Sequence, residues 1–335
     1  MKFWPKIFFS IYFFPCFLNI SVLLITDADA RCSSFYLKAV GQDGFGGESL
    51  ARIGLIATAV NEGFAYCHSP FYHLHHVGGH EEALENFLNL SGAAHVLFGR
   101  DQNCSSIRSK ILLGEGLLPR KKFICREGKS IVGICSKTHI CASIFSKKPS
   151  SVLKIIPSLR AAFNDGVSYG TENGSDQNVT NIVVHLRRGD APSHRVLSNK
   201  KLLSLIRVLR QRYKNMQIKF HVYSQGNEHE FYDIISEKSV SLHLSAPTVP
   251  CRYGSRGMAK NENCLNHTVS EHIVDDLMQT FSSLITADVL VLANSAFSYL
   301  AGIYNSGTVY YIYNKKGSFV GNRKPLPSWI ALNLR

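Results

Sequence analysis

Apolar and polar positions in the second half of the chain alternate between two periods. Residues 181–186 (Asn-Ile-Val-Val-His-Leu) form a nearly continuous apolar run, as in a strand buried on both faces. Residues 198–213 then repeat apolar side chains at helical spacing, 218–223 return to a strand pattern, and 227–235 fit a short helix. A strand near 240–244, a helix over 269–284, a strand over 289–292, a helix starting at Ser295 and a strand over 309–313 complete the series. Such alternation predicts an α/β fold with a parallel sheet covered on both faces, which binds ligands at the carboxyl ends of its strands.

The first half opens similarly. Residues 35–40 read as a strand and 41–48 as a Gly-rich loop. Ser49 is placed to cap a helix in which Leu50, Ile53, Gly54, Ala57 and Val60 recur, and 64–67 form a second strand. From 81 to 164, helical patterns (81–90 and 151–163) alternate with short apolar runs and cysteines, and no topology emerges. The Gly-, Ser- and Asn-rich stretch 166–177 predicts a domain boundary. A chain of 335 residues exceeds a single core of roughly 250–300 residues. No fixed-period repeat suggests a solenoid. The expected organisation is a leader (1–30), an N-terminal α/β domain (31–170) and a C-terminal one (171–335).

The leader is itself a pattern. Residues 7–25 carry no charge and approach the ~20 residues of a membrane span. Lys2 and Lys6 precede them and Asp27 and Asp29 follow, an arrangement that exports what comes after. Ala28-Asp29-Ala30 has the form of a signal-peptidase site, while the uncleaved stretch would serve as a type II anchor; both outcomes stay open. The expected location is the secretory pathway, in the Golgi or endoplasmic reticulum lumen, anchored or secreted. Beyond Cys16, eight cysteines form an even set suited to an oxidising compartment, and Cys251 with Cys264 could close a local loop. Five Asn-x-Ser/Thr sequons, at Asn89, Asn103, Asn173, Asn178 and Asn266, agree with export.

Lys and Arg outnumber Asp and Glu by 37 to 24, and the net charge of +13 is spread along the chain. An anionic small substrate or acidic surface fits this spread better than nucleic acid, whose binders concentrate charge on one face.

The chemistry lies at predicted strand ends. Arg187 and Arg188 follow the strand 181–186 directly, where two planar guanidinium groups can grip phosphate oxygens. Asp190 can brace an arginine or close the turn that Gly189 permits. The bland alternatives are a solvated arginine pair or an Arg188-Gly189-Asp190 adhesion tripeptide. Asn294, Ser295 and Ser298 follow another apolar strand and begin a helix, where free N–H groups favour a diphosphate; alternatively, Asn294 or Ser295 is only a helix cap. His73, His75, His76 and His80 crowd one segment, but their spacing matches no standard zinc site.

His185-Leu186-Arg187-Arg188-Gly189-Asp190 after an apolar strand resembles the motif of the α1,2-, α1,6- and protein O-fucosyltransferase superfamily. Two further blocks resemble that family in the right order. Gln42-Asp43-Gly44-Phe45-Gly46-Gly47-Glu48 is similar to its Gly-rich entry loop, and residues 287–299, with Asn294-Ser295-Ala296-Phe297-Ser298, to its C-terminal strand-to-helix block. The resemblance implies a GT-B-like fold, two Rossmann-like domains whose parallel sheets face a cleft, with the acceptor on the N-terminal domain and a GDP-sugar on the C-terminal one. It implies inverting transfer of fucose from GDP-fucose to a hydroxyl of a glycan or glycoprotein, with no metal or other cofactor. Another GDP-sugar donor, or a catalytically silent glycan-binding relative, is the alternative.

By the same resemblance, Arg187 holds the β-phosphate and stabilises the leaving group, Arg188 supports the site electrostatically or structurally, His185 lies near the nucleoside, and Asp190 belongs to the donor site. Asn294, Ser295, Ala296 and Phe297 border the donor. Asp275 or Asp276 reads guanine N–H groups, with Asp276 the residue chosen. The α1,6 branch carries a glutamate shortly after the arginines, whereas residues 191–225 hold no carboxylate. The protein O-fucosyltransferase branch has an acid before Gly-Phe, which matches Asp43 as general base. Gly44, Phe45, Gly46, His75 and His76 are then the acceptor or cleft residues, and 250–266 a disulfide-closed flap or a solvated insertion.

Overall fold

The computed structural model describes residues 35–39, 43–72, 74–75, 77, 79–99, 109–113, 131–166, 178–189, 191, 195–245, 271–312 and 323–334. The leader, residues 167–177 of the expected boundary stretch 166–177, and the segment 250–266 lie outside the described residues. Among the described residues no helix is long and apolar enough to cross a membrane.

The chain is α/β with parallel sheets. The first strand, β1 (Phe35–Ala39), is followed by the two-residue β2 (Asp43–Gly44) and the long helix α1 (Phe45–Glu62). This helix begins four residues before the expected Ser49 cap. Gly44 takes the extended N-cap position, and the Ser49 hydroxyl donates back to the Phe45 carbonyl at 2.7 Å from inside the first turns. Next come β3 (Ala65–Tyr66), β4 (Leu74–His75), α2 (Glu81–Leu88) and α3 (Leu90–Phe98).

The helix expected over 81–90 is broken by Asn89, which takes the left-handed conformation (φ 48°). Asn89 ends α2 and caps α3 by accepting the Gly92 N–H, and its amide donates to the Ala162 carbonyl at 2.8 Å. The Asn89 sequon is thus occupied as a structural cap, whereas Asn178 is exposed.

The unreadable middle contains β5 (Ser109–Leu112), β6 (Ile131–Cys135), and the short helices α4 (Thr138–Cys141) and α5 (Ile144–Lys147). The helix expected over 151–163 is a 3-10 turn (Pro149–Lys154) followed by α6 (Ile156–Gly166). Cys135 and Cys141 form a disulfide across the β6–α4 turn, and Cys67 is also disulfide-bonded. The first sheet has the order β3-β1-β6-β5, all parallel; β2 and β4 form a separate parallel pair.

The second half follows the predicted alternation closely: β7 (Val179–His185), α7 (Asn199–Arg212), β8 (Gln217–Gln225), a 3-10 turn (Glu228–Phe231), α8 (Tyr232–Ile235), β9 (Val240–Ser245), α9 (Glu271–Ile285), β10 (Val289–Leu292), α10 (Ala296–Tyr304) and β11 (Thr308–Ile312). A last strand, β12 (Ile330–Leu332), was not anticipated. The parallel sheet runs β12-β11-β10-β7-β8-β9. Counted along the chain, this is the order 3-2-1-4-5-6 of a doubly wound sheet, with its reversal between β7 and β10. Alternation of side chains explains why both faces are covered. Ile182, Val184, Val289 and Val291 join Leu202, Leu205 and Leu209 of α7, while Val183, Leu290 and Leu292 join α9 and α10 on the other side.

Residues Cys32–Arg335 form one compact unit. Both sheets belong to it, and one core cluster runs from Leu37 and Leu50 to Phe281 and Tyr299. Phe281 is its hub, with ring centroids 6.0 Å from Phe45, 5.7 Å from Phe87 and 5.6 Å from Phe297. Arg160 of α6 donates to the carbonyls of Ile303 (3.1 Å) and Asn305 at the carboxyl end of α10, where a cation is favoured.

Candidate functional site

A cavity of about 710 Å³ opens at the carboxyl ends of β7, β8 and β9, beside the reversal point of the six-stranded sheet. Strand β7 delivers His185, Leu186 and Arg187 to it, and the amino end of α10 delivers Ser295, Ala296 and Phe297. Asp43, Gly44, Phe45, Gly46 and Gly47 form the opposite wall, with His75 beside them. Three segments far apart in sequence, each singled out by its motif, thus border one space.

The entry loop is held from beneath. Glu48 and Arg52, each about 1% exposed, pair at 2.8 Å one helical turn apart. Arg52 also donates to the carbonyls of Ser69 and Pro70, both at 2.9 Å, and its guanidinium lies over the Phe71 ring at 4.5 Å. Glu48 accepts from the Thr138 hydroxyl at 2.8 Å. A buried pair with its remaining polar atoms satisfied fixes geometry more than it adds stability. Here it sets the start of α1 and hence Asp43 to Gly46. The segment carrying His75 is held similarly, since Glu81 accepts from the Leu74 and Gly79 N–H groups and Glu85 from that of Phe71.

Asp43 is exposed toward the cavity, its Oδ1 accepting the Gly44 N–H at 2.8 Å. Its other oxygen lies over Gly47, where a β-carbon would approach to 2.3 Å. His185 packs its ring against Phe297 (centroids 5.5 Å). Its Nδ1 is shielded from solvent and finds no hydrogen-bond partner among the described residues. Burial first, then the charge of Arg187, pushes its pKa down to about 3, so the ring is neutral. At the amino end of α10, the Ser295 hydroxyl accepts the Ser298 N–H at 3.0 Å, and the Ser298 hydroxyl accepts the Ala293 N–H at 2.9 Å. Ser295 is therefore a helix cap, and what α10 presents to the cavity is its capped amino end.

The adjacent arginines separate. Arg187 lines the cavity, whereas Arg188 does not and turns to other partners. Its guanidinium lies 4.2 Å over the Phe231 ring, donates to the Leu197 carbonyl (3.3 Å) and to Asn199 Oδ1, and sits 4.0 Å from Glu230. Successive residues at a strand end point to opposite faces, so one arginine serves the crevice and the other ties β7 to the start of α7. Gly189 (φ 70°) makes the following turn, close against Gln225. Asn294 is partly buried but does not line the cavity. Asp276 of α9 lines it and Asp275 does not. Asp190, His73 and His76 lie outside the described residues.

Several lining residues escaped the sequence reading. Tyr223 stands at the carboxyl end of β8 and stacks on His243 of β9, with centroids 4.3 Å apart and planes 8° from parallel. Its position at a strand end was the available signal. Arg195 and Arg323 also line the cavity. They sit in irregular segments, where periodicity gives no orientation.

Comparison of the chain with protein-family models, curated proteins and solved structures finds no match.

Proposed function

We propose that the chain is a glycosyltransferase that moves fucose from GDP-fucose to a hydroxyl of a glycan or glycoprotein, with inversion and without a metal. The observation that carries this reading is the convergence of Arg187, the amino end of α10 and Asp43 on one cavity at the sheet's reversal point. In this reading the arrangement is GT-B-like, the first sheet bearing the acceptor side and the second a Rossmann-like donor side. Arg187 and the α10 dipole stabilise the diphosphate as it leaves, and Asp43 takes the proton of the attacking hydroxyl from across the cavity. Asp276 accepts the guanine donors at the far end. Neutral His185 borders the nucleoside without adding charge.

The disulfide at Cys135–Cys141 supports placement in an oxidising lumen, where the chain is anchored or released through its leader. An adhesion role for Arg188-Gly189-Asp190 is disfavoured, because the Arg188 side chain is 11% exposed and engaged with Asn199 and Phe231.

The test is incubation of the chain with GDP-fucose, GDP-mannose, UDP-galactose and CMP-sialic acid, measuring nucleotide release. Release of GDP from GDP-fucose alone, lost in Arg187→Ala, is the expected result. Turnover or binding confined to UDP- or CMP-sugars overturns the proposal.

A further inference from the structure

His185, Tyr223 and His243 stand side by side on three neighbouring strands. The parallel register aligns His185 of β7 with Tyr223 of β8, and Tyr223 with His243 of β9. Side chains alternate along each strand, so these three share one face of the sheet. The two cores show that alternation: Phe220 and Val222 join the cluster with α7, whereas Tyr223 packs against the opposite cluster, with Val183.

The row of rings splits in two. Tyr223 lies flat on His243, with centroids 4.3 Å apart and planes 8° from parallel. His243 is backed in turn by His221 (5.3 Å, 25°), whose Nδ1 lies 3.0 Å from His243 Nε2, within hydrogen-bond distance. His185 leans the other way, onto Phe297 of α10. Among the described residues, no ring therefore covers the second face of Tyr223, which is half-buried and lines the cavity. A stack three rings deep fixes the plane of its outermost ring, so a planar ligand meeting that ring does not have to order it. Leu277 and Asp276 of α9 line the cavity as well. Burial, and then the charge of Asp276, raise the Tyr223 pKa, so the phenol is neutral and the carboxylate is near it.

We propose that Tyr223 is the platform on which the base of the nucleoside diphosphate stacks, with His243 and His221 as positioning residues behind it. A purine offers the larger face to such a platform, and Asp276 then accepts from N–H groups on the edge of the base. The inference rests on the donor-site reading of the cavity, though not on the base being guanine.

The experiment titrates the full chain and its variants with GDP, with UDP and with inorganic pyrophosphate, which carries no base. Tyr223→Leu is expected to weaken GDP binding about tenfold or more while pyrophosphate affinity stays within about twofold. Tyr223→Phe keeps the ring and is expected to restore most of the lost affinity. His243→Leu should weaken GDP binding to a lesser degree, and His243→Phe, which returns a ring to the back of Tyr223, should recover it. That second pair carries the test even where Tyr223→Leu fails to fold. Unchanged GDP affinity in Tyr223→Leu, or equal losses for GDP and pyrophosphate, overturns the platform. A wild-type chain that binds UDP and not GDP, with UDP binding lost in Tyr223→Leu, would instead keep the platform and count against the GDP-sugar reading alone. Wild-type binding of neither nucleotide overturns both.

Discussion

Gly46 lies against Phe297 so closely that a β-carbon on it would sit 2.4 Å from the Phe297 nitrogen and 2.6 Å from its α-carbon. The obstacle is backbone, which cannot swing aside as a side chain can. This contact seats the start of α1 on the start of α10 and so sets the width of the cavity between Asp43 and Arg187. Gly46→Ala should therefore cost about 1–3 kcal/mol as an overpacking change. A lowered melting temperature together with weakened GDP binding is expected. Retention of both would show that the two helices separate freely.

Arg188→Ala should behave unlike a binding-site variant. It removes the stack on Phe231 and the bonds to Leu197 and Asn199, at a cost of roughly 1.5–3 kcal/mol. Denaturant titration should register that loss while nucleotide affinity stays near wild type. Weakened nucleotide binding with unchanged stability would place Arg188 in the donor site after all.

The neutral histidines give a pH dependence with a definite sign. His185 is pushed down to about 3 by burial and then Arg187, and His221 to about 4 by burial, then Lys219 and His243. His243, whose Nε2 is 3.0 Å from His221 Nδ1, is lowered as well, by burial and then Lys219. Unfolded histidine titrates near 6.5, so between that value and about 4 the unfolded chain binds more protons than the folded one. The stability these groups contribute is full above pH 6.5 and declines as the pH falls through this window. Melting temperatures from pH 7.5 to 4.5 should drop, with a shallower decline in His185→Asn. An unchanged slope in that variant would mean that His185 charges without penalty in the fold.

Sequon use should follow geometry. In a secretory host, Asn178→Gln should remove one glycan, because Asn178 is exposed at the head of β7. Asn89→Gln should leave the glycan count unchanged and lower stability, because its amide already bonds Ala162 and Gly92. Peptide mass spectrometry distinguishes the two, and a glycan on Asn89 in folded protein would contradict the capping assignment.

The second half was legible because its strands are buried on both faces and read as plain apolar runs. The strand expected over 289–292 coincides with β10, and the helix expected over 198–213 is α7, with Ser198 as its cap. The first half was legible only at its opening. There β3, β5 and β6 have two to five residues, too few to establish a period, and the rest of that sheet's pattern is carried by helices. The α1 start was misplaced because a hydroxyl at Ser49 looks like a cap in sequence, whereas Gly46 and Gly47 are already helical, Gly46 against the Phe297 backbone and Gly47 against the Asp43 side chain. For the candidate site, motifs located Asp43, His185, Arg187 and Ser295. Motifs did not reveal that Arg188 turns away, which depends on the strand's facing, or that Arg195 and Arg323 arrive through irregular segments.

The most direct test of the central assignment is a calorimetric titration of the chain with GDP, UDP and CMP, in parallel with Arg187→Ala and Arg188→Ala. Binding of GDP alone at one site per chain, abolished in Arg187→Ala and preserved in Arg188→Ala, is the predicted result. No heat with GDP, or equal affinity for GDP and UDP in the wild type, would contradict it.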